Sequence, residues 1–234
     1  MKIKATIRDC LANGDYETLA QMAPEHGGKI TNGLIAFLSE VDDRIKWPAV
    51  KAIGLVTARL FSLDPERAKK VIRQLIWNLN EESGGIGWGM PEAFGEILAV
   101  VPALQEEYAC LLVAYIAEGP CFIENEPLQK GVIWGLGRLK HIEGVLKAKA
   151  LPFLLDSVKN PDPSMQGIAV WALGEMGAKE ARPILKSLQM ENQMIKIFTE
   201  NKMQEKPLHQ WVTEAINKLN QGGECRGRER VEMQ

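Results

Sequence analysis

Two carboxylates four residues apart, Glu92 and Glu96, lie in the stretch NEESGGIGWGMPEAFGEI, which runs from Asn80 to Ile97. A helix brings residues at that spacing onto one face, so the pair has the layout of an acid–base couple. Two further acids, Glu81 and Glu82, lead into four glycines between Gly84 and Gly89, which are split by Ile86 and Trp88. Glycine permits φ > 0 and close approach of a ligand or another backbone, and a helix start offers free N–H groups. The stretch lacks the G-K-[ST] ending of a P-loop, and no strand precedes it as a dinucleotide fingerprint requires. Pro91 fits the first turn of a helix, so the helix is expected to begin near Met90 with Trp88 in the loop before it. Pro48 is expected to do the same for Trp47. The loop then reads either as a ligand or peptide site or as a closure between structural repeats. In the first reading Trp88 supplies contact surface, and Glu81 and Glu82 supply charge. A second long loop, in EGPCFIENEPLQKGVIWGLGRL (Glu118 to Leu139), sets Glu124 and Glu126 before a helix entry. Side by side, two such acid-bearing loops would suit a basic or amide-rich partner.

The elements that must position these residues repeat. WPAVKAIGLV, GMPEAFGEIL, GVIWGLGRLK and IAVWALGEMG share a small-apolar-Gly core, with Gly54, Gly95, Gly137 and Gly174 at steps of 41, 42 and 37. A period near forty residues is the mark of helix pairs that cannot bury their apolar faces alone. Each core follows a second amphipathic stretch, among them AKKVIRQLIWNL, EEYACLLVAYIAEG and KAKALPFLLDSVKN. Asp64-Pro65 and Asp162-Pro163 mark helix starts, the acid capping and the proline filling the first turn.

AVWALGEMGAKEARPILKSL (Ala169 to Leu188) resembles the bacterial HEAT-like repeat of the phycobilisome-lyase type, with its A-x-x-A-L-G-x-x-G helix, short acidic turn and A-x-P-x-L helix. The resemblance covers roughly Ile30 to Leu219. It implies an all-α, right-handed HEAT-like α-solenoid of about five to six antiparallel helix pairs. A small β-hairpin insertion is expected near 194–205, before a final helix from about Leu208. A single domain is expected over 1–219, with a mobile C-terminal tail over 220–234 that has almost nothing to bury.

Registering the helices on their shared glycine places one residue set on one face: Trp47, Lys51 and Leu55; Trp88, Glu92 and Glu96; Lys130, Trp134 and Arg138; Gly167, Trp171 and Glu175. In the resembling family this face tends to line the concave side. Four of the six tryptophans then share it. They form either a binding surface or an inter-repeat core, and periodicity alone does not separate the two. The charges divide in the same way. Glu96, Arg138 and Glu175 form a ladder across repeats, with Lys51 within reach of Glu92, or else Glu92 and Glu96 do acid–base work.

Composition narrows the choice. The chain is 234 residues, 46% hydrophobic and 25% charged, with a net charge of −2. That balance offers no general attraction to nucleic acid or to an anionic membrane. No uncharged apolar run reaches spanning length, and the N-terminus lacks a signal-peptide core, so a cytoplasmic location is expected. Cys10, Cys110, Cys121 and Cys225 form no C-x-x-C pair, so free thiols are expected and no metal or cofactor. The expected function is a non-catalytic scaffold for a protein or peptide partner. The alternative is a HEAT-like DNA glycosylase for alkylated bases, using Trp88, Trp134, Glu92 and Arg138; it would need a basic face where this chain places acids. HEAT-like di-iron hydroxylases need paired His-Glu motifs that are absent here, and nothing points to the tetrapyrrole chemistry of a bilin lyase.

Overall fold

Acid caps start the helices where the sequence places them. Asp64 accepts from the Glu66 N–H and Asp162 from the Ser164 N–H, with Pro65 and Pro163 in the first turns. The computed structural model describes residues 3–80, 86–139, 144–188 and 192–221. Eleven α-helices and one two-stranded sheet lie among them, divided between two compact units, residues 1–135 and 136–234.

The first unit contains α1 (Ile3–Asn13), α2 (Tyr16–Leu38), α3 (Asp43–Leu63), α4 (Pro65–Leu79), α5 (Met90–Val100), α6 (Gln105–Ala114) and most of α7 (Glu126–Arg138). Its core draws on Leu34, Ile53, Phe94 and Leu112, each fully buried. The repeat glycines are where its helices touch. A methyl group on Gly54 would lie 2.9 Å from the Glu96 Cγ, and one on Gly135 would lie 3.1 Å from the Gly95 Cα. Removing the side chain lets α3 reach α5, and α5 reach α7, closer than a Cβ allows.

The second unit contains α8 (Gly144–Ser157), α9 (Pro163–Glu175), α10 (Arg182–Ser187), β1 (Met194–Thr199), β2 (Lys202–Pro207) and α11 (Leu208–Gln221). The glycine rule continues: Gly137 meets the Trp171 ring at 2.5 Å and Gly174 meets the Ala215 Cα at 2.8 Å, measured from an added methyl. The expected hairpin is present, pairing Met194 with Pro207 through Thr199 with Lys202. Glu200 and Asn201 turn it, both at positive φ (52° and 60°), as two-residue hairpin turns require.

The all-α repeat architecture agrees with the sequence, and two local expectations do not. Pro48 does not open a helix: Asp42 accepts from the Arg44 N–H, so α3 already runs from Asp43 and carries Pro48 inside. Trp47 is therefore a core residue of a helix, with 9% exposed, and not a residue at an open helix entry. At the other end, α11 continues to Gln221, past the expected boundary at 219. The remainder of the tail lies outside the described residues.

Candidate binding surface

Gly89 holds the loop that precedes α5. It takes φ 74°, and an added methyl would collide with the Leu38 carbonyl and Cβ, so only glycine fits against the end of α2. Two residues earlier, a methyl on Gly87 would lie 3.0 Å from the Asn78 carbonyl oxygen. The described part of the loop, 86–89, is thus wedged between the last turns of α2 and α4. Met90 donates to the Gly87 carbonyl at 3.1 Å, and α5 begins there, as Pro91 predicts. Glu81 and Glu82 lie outside the described residues.

The wedge presents apolar side chains to solvent. Ile86 is 51% and Trp88 37% exposed, while Trp77, on the turn of α4 that receives the loop, is 70% exposed. Val41, in the turn after α2, is almost wholly exposed. The α6–α7 loop adjoins this end. Its Ile123 N–H donates to the Tyr115 carbonyl, and the Tyr115 hydroxyl lies beside the Asn80 side chain at the end of α4. Burial pushes that phenol up to about 12, so it stays a neutral wall of the loop base. Phe122, Glu118 and Glu124 are exposed on the second loop, Glu126 is exposed at the start of α7, and Asp43 is exposed at the start of α3. Exposed aromatics beside acids form a surface that favours a partner with cationic side chains.

The residues expected on the shared helical face divide differently. Trp134 and Trp171 are 1% and 5% exposed, and with Trp47 they belong to the core. In the first unit Trp47 and Trp134 pack with ring centroids 4.9 Å apart and planes tilted by 54°. Of the four tryptophans on that face, only Trp88 reaches solvent substantially. Glu92 and Glu96 are buried too, and neither is a carboxylate open to a substrate. Lys46 Nζ lies 2.7 Å from Glu92 Oε1, and Lys51 is paired with Glu96 rather than with Glu92. Both pairs tie α3 to α5. In the second unit Glu175 is paired with Lys218 of α11, and Arg138 ends α7 half-buried. Gly167 is covered by Ile195 of the hairpin, with an added methyl 2.5 Å from its Cγ2. The hairpin therefore packs over this face of α9, through Ile195.

Sequence reasoning missed Lys46, Lys218 and Trp77. Lys46 precedes Pro48, where a loop is expected. Trp77 sits among apolar residues in AKKVIRQLIWNL, and its exposure leaves no trace in that pattern. Asp42-Asp43 before Arg44 was the available signal for an earlier start to α3.

Comparisons with known proteins agree on architecture. A family model described as HEAT repeats matches residues 123–194. A designed armadillo repeat protein in complex with the peptide (KR)4 is 15% identical, covering 93% of this chain and 91% of that one, with a TM-score of 0.51. An engineered protein from a structural genomics consortium is 13% identical, over 94% and 92%, with a TM-score of 0.52. No curated protein matches the sequence. The chain is a helical repeat protein. No single helix among its described residues is long and apolar enough to cross a membrane.

Proposed function

We propose that this repeat protein is a binding scaffold, which captures a basic segment of a partner protein at the loop-bearing end of its first unit. The observation that carries the reading is the wedge itself. A loop fixed by Gly89 against α2 presents Ile86 and Trp88 to solvent, and Trp77 is exposed on the last turn of α4, the turn that Gly87 touches through Asn78. Exposing large apolar groups on a rigid support is costly unless a partner covers them. The acids of the neighbouring loops supply the charge that selects lysine and arginine. The designed armadillo protein of similar fold, in complex with the peptide (KR)4, supports a peptide as the kind of partner.

The test uses a fluorescein-labelled octapeptide of alternating Lys and Arg, titrated with the full chain and read by anisotropy. Saturable binding that weakens with salt is expected. Trp77→Ala with Trp88→Ala should weaken it at least about tenfold while the melting temperature moves by only a few degrees. No saturation by the parent, or equal binding by the double variant, would overturn the reading.

A further inference from the structure

A second recess lies between α2 and α4, formed by residues distinct from those of the loop-bearing end. It has a volume of about 200 Å³ and is lined by Arg67, Lys70, Asn32 and Gln74, with Leu60 and Val71 as apolar walls. No acidic residue lines it. Among the described residues neither Arg67 nor Lys70 is paired with a carboxylate, although Lys69 and Arg73 on the same helix both are.

Arg67 is built into the wall. Its Nη2 donates to the Ala23 and Pro24 carbonyls of α2, at 3.1 and 3.0 Å. Two bonds on one nitrogen hold the guanidinium plane and leave its other N–H groups as donors. Gln74 Nε2 donates to Asn32 Oδ1 at 3.0 Å, which fixes the Asn32 amide so that its own NH₂ remains a donor. A half-buried guanidinium tied only to neutral carbonyls keeps an unneutralised charge, and Lys70 adds a second at the rim. Two positive charges with a planar donor fork match a phosphate dianion better than a single carboxylate. The volume exceeds that of the phosphate alone and has room for a short organic group against Leu60 and Val71.

We propose that this recess binds the phosphoryl group of a small phosphate monoester. Isothermal titration of the full chain with inorganic phosphate, glycerol phosphate and acetate tests it. Both phosphates are expected to bind one per chain, with acetate at least about tenfold weaker. Tighter binding of glycerol phosphate than of inorganic phosphate supports the ester; equal or weaker binding of glycerol phosphate would overturn it in favour of the free ion.

Because Arg67 also holds α2, the variants avoid it. Lys70 is exposed, so Lys70→Gln should fold normally and weaken phosphate binding at least about tenfold. Gly28 lines the recess with open space where its side chain would be, so Gly28→Leu should block binding while leaving both cations in place. Arg73→Gln removes a neighbouring cation outside the recess and should change nothing. Absence of phosphate binding, acetate binding equally well, or a loss in Arg73→Gln as large as in Lys70→Gln would each overturn the proposal.

Discussion

Gly95 and Gly135 meet backbone to backbone: a methyl group on Gly95 would come under 3.0 Å from the Gly135 Cα. This contact sets how closely α5 and α7 approach, and no side-chain rotation relieves it. Gly95→Ala is therefore expected to destabilise by about 1–3 kcal/mol, although alanine is the better helix former. For a chain of this size that is a fall of roughly 3–10 °C in melting temperature. Gly28→Ala supplies the contrast. Gly28 is exposed within α2 and its added methyl meets nothing within 4 Å, so the same change should stabilise by about 0.5–1 kcal/mol. Calorimetry on the two variants separates close packing from helix propensity; shifts of the same sign would refute the packing role.

The Lys46–Glu92 pair should couple strongly and yet contribute little net stability. Glu92 is buried, its Oε1 is held by Lys46, and its Oε2 has no hydrogen-bond partner among the described residues. Lys46→Met strands the carboxylate and should cost about 3 kcal/mol. Adding Glu92→Leu should recover most of that loss, because apolar replacements of buried ion pairs are close to neutral. Urea unfolding of both single variants and the double variant gives the coupling energy. A double variant as unstable as Lys46→Met would show that Glu92 has a role beyond the pair.

Acid should weaken the fold through specific carboxylates. The Arg44 side chain, and then its backbone N–H, hold Asp42 below its ordinary 3.8. Lys69, and then Tyr108, hold Glu107 below its ordinary 4.5. A lowered native pKa means that the unfolded chain binds protons first as pH falls. The contribution is therefore complete above the ordinary values and is lost as pH drops through the native ones. Melting temperature should be flat near neutrality and fall below about pH 4. Asp42→Asn keeps a good helix cap and removes one titrating group, so its acid limb should be shallower. An unchanged limb would place the acid sensitivity elsewhere.

The repeat period was legible because it is enforced by close contact between helices. Gly54, Gly95, Gly137 and Gly174 each sit where two helices cross, so their spacing reports the repeat directly. The direction of the adjacent face was not legible. Trp134 belongs to the core and Trp88 to the surface, although both occupy the same kind of helical register. Gly89 decides this for Trp88 by turning the chain at positive φ against α2, a contact between segments some fifty residues apart that no local pattern encodes. The partner of Lys51 was misassigned for a related reason. Once α3 starts at Asp43, Lys46 joins the helix and takes Glu92, which leaves Lys51 to pair with Glu96.

The hairpin is expected to be a structural cover for α9, and Ile195 is the residue to test. Its side chain is 3% exposed and seated on Gly167, while its carbonyl accepts from the Trp211 Nε1–H at 3.3 Å. One residue thus joins the strand to both α9 and α11. Ile195→Ala should leave a cavity against Gly167 and cost about 2–5 kcal/mol. The neighbouring Met194 points away and is 52% exposed, so Met194→Ala should stay within about 0.5 kcal/mol. Hydrogen exchange locates the effect. In Ile195→Ala the amides of α9 and α11 should lose protection, while those of α3 and α5 in the first unit keep theirs. Equal losses from the two substitutions would make the hairpin a surface appendage whose inner and outer faces do not differ.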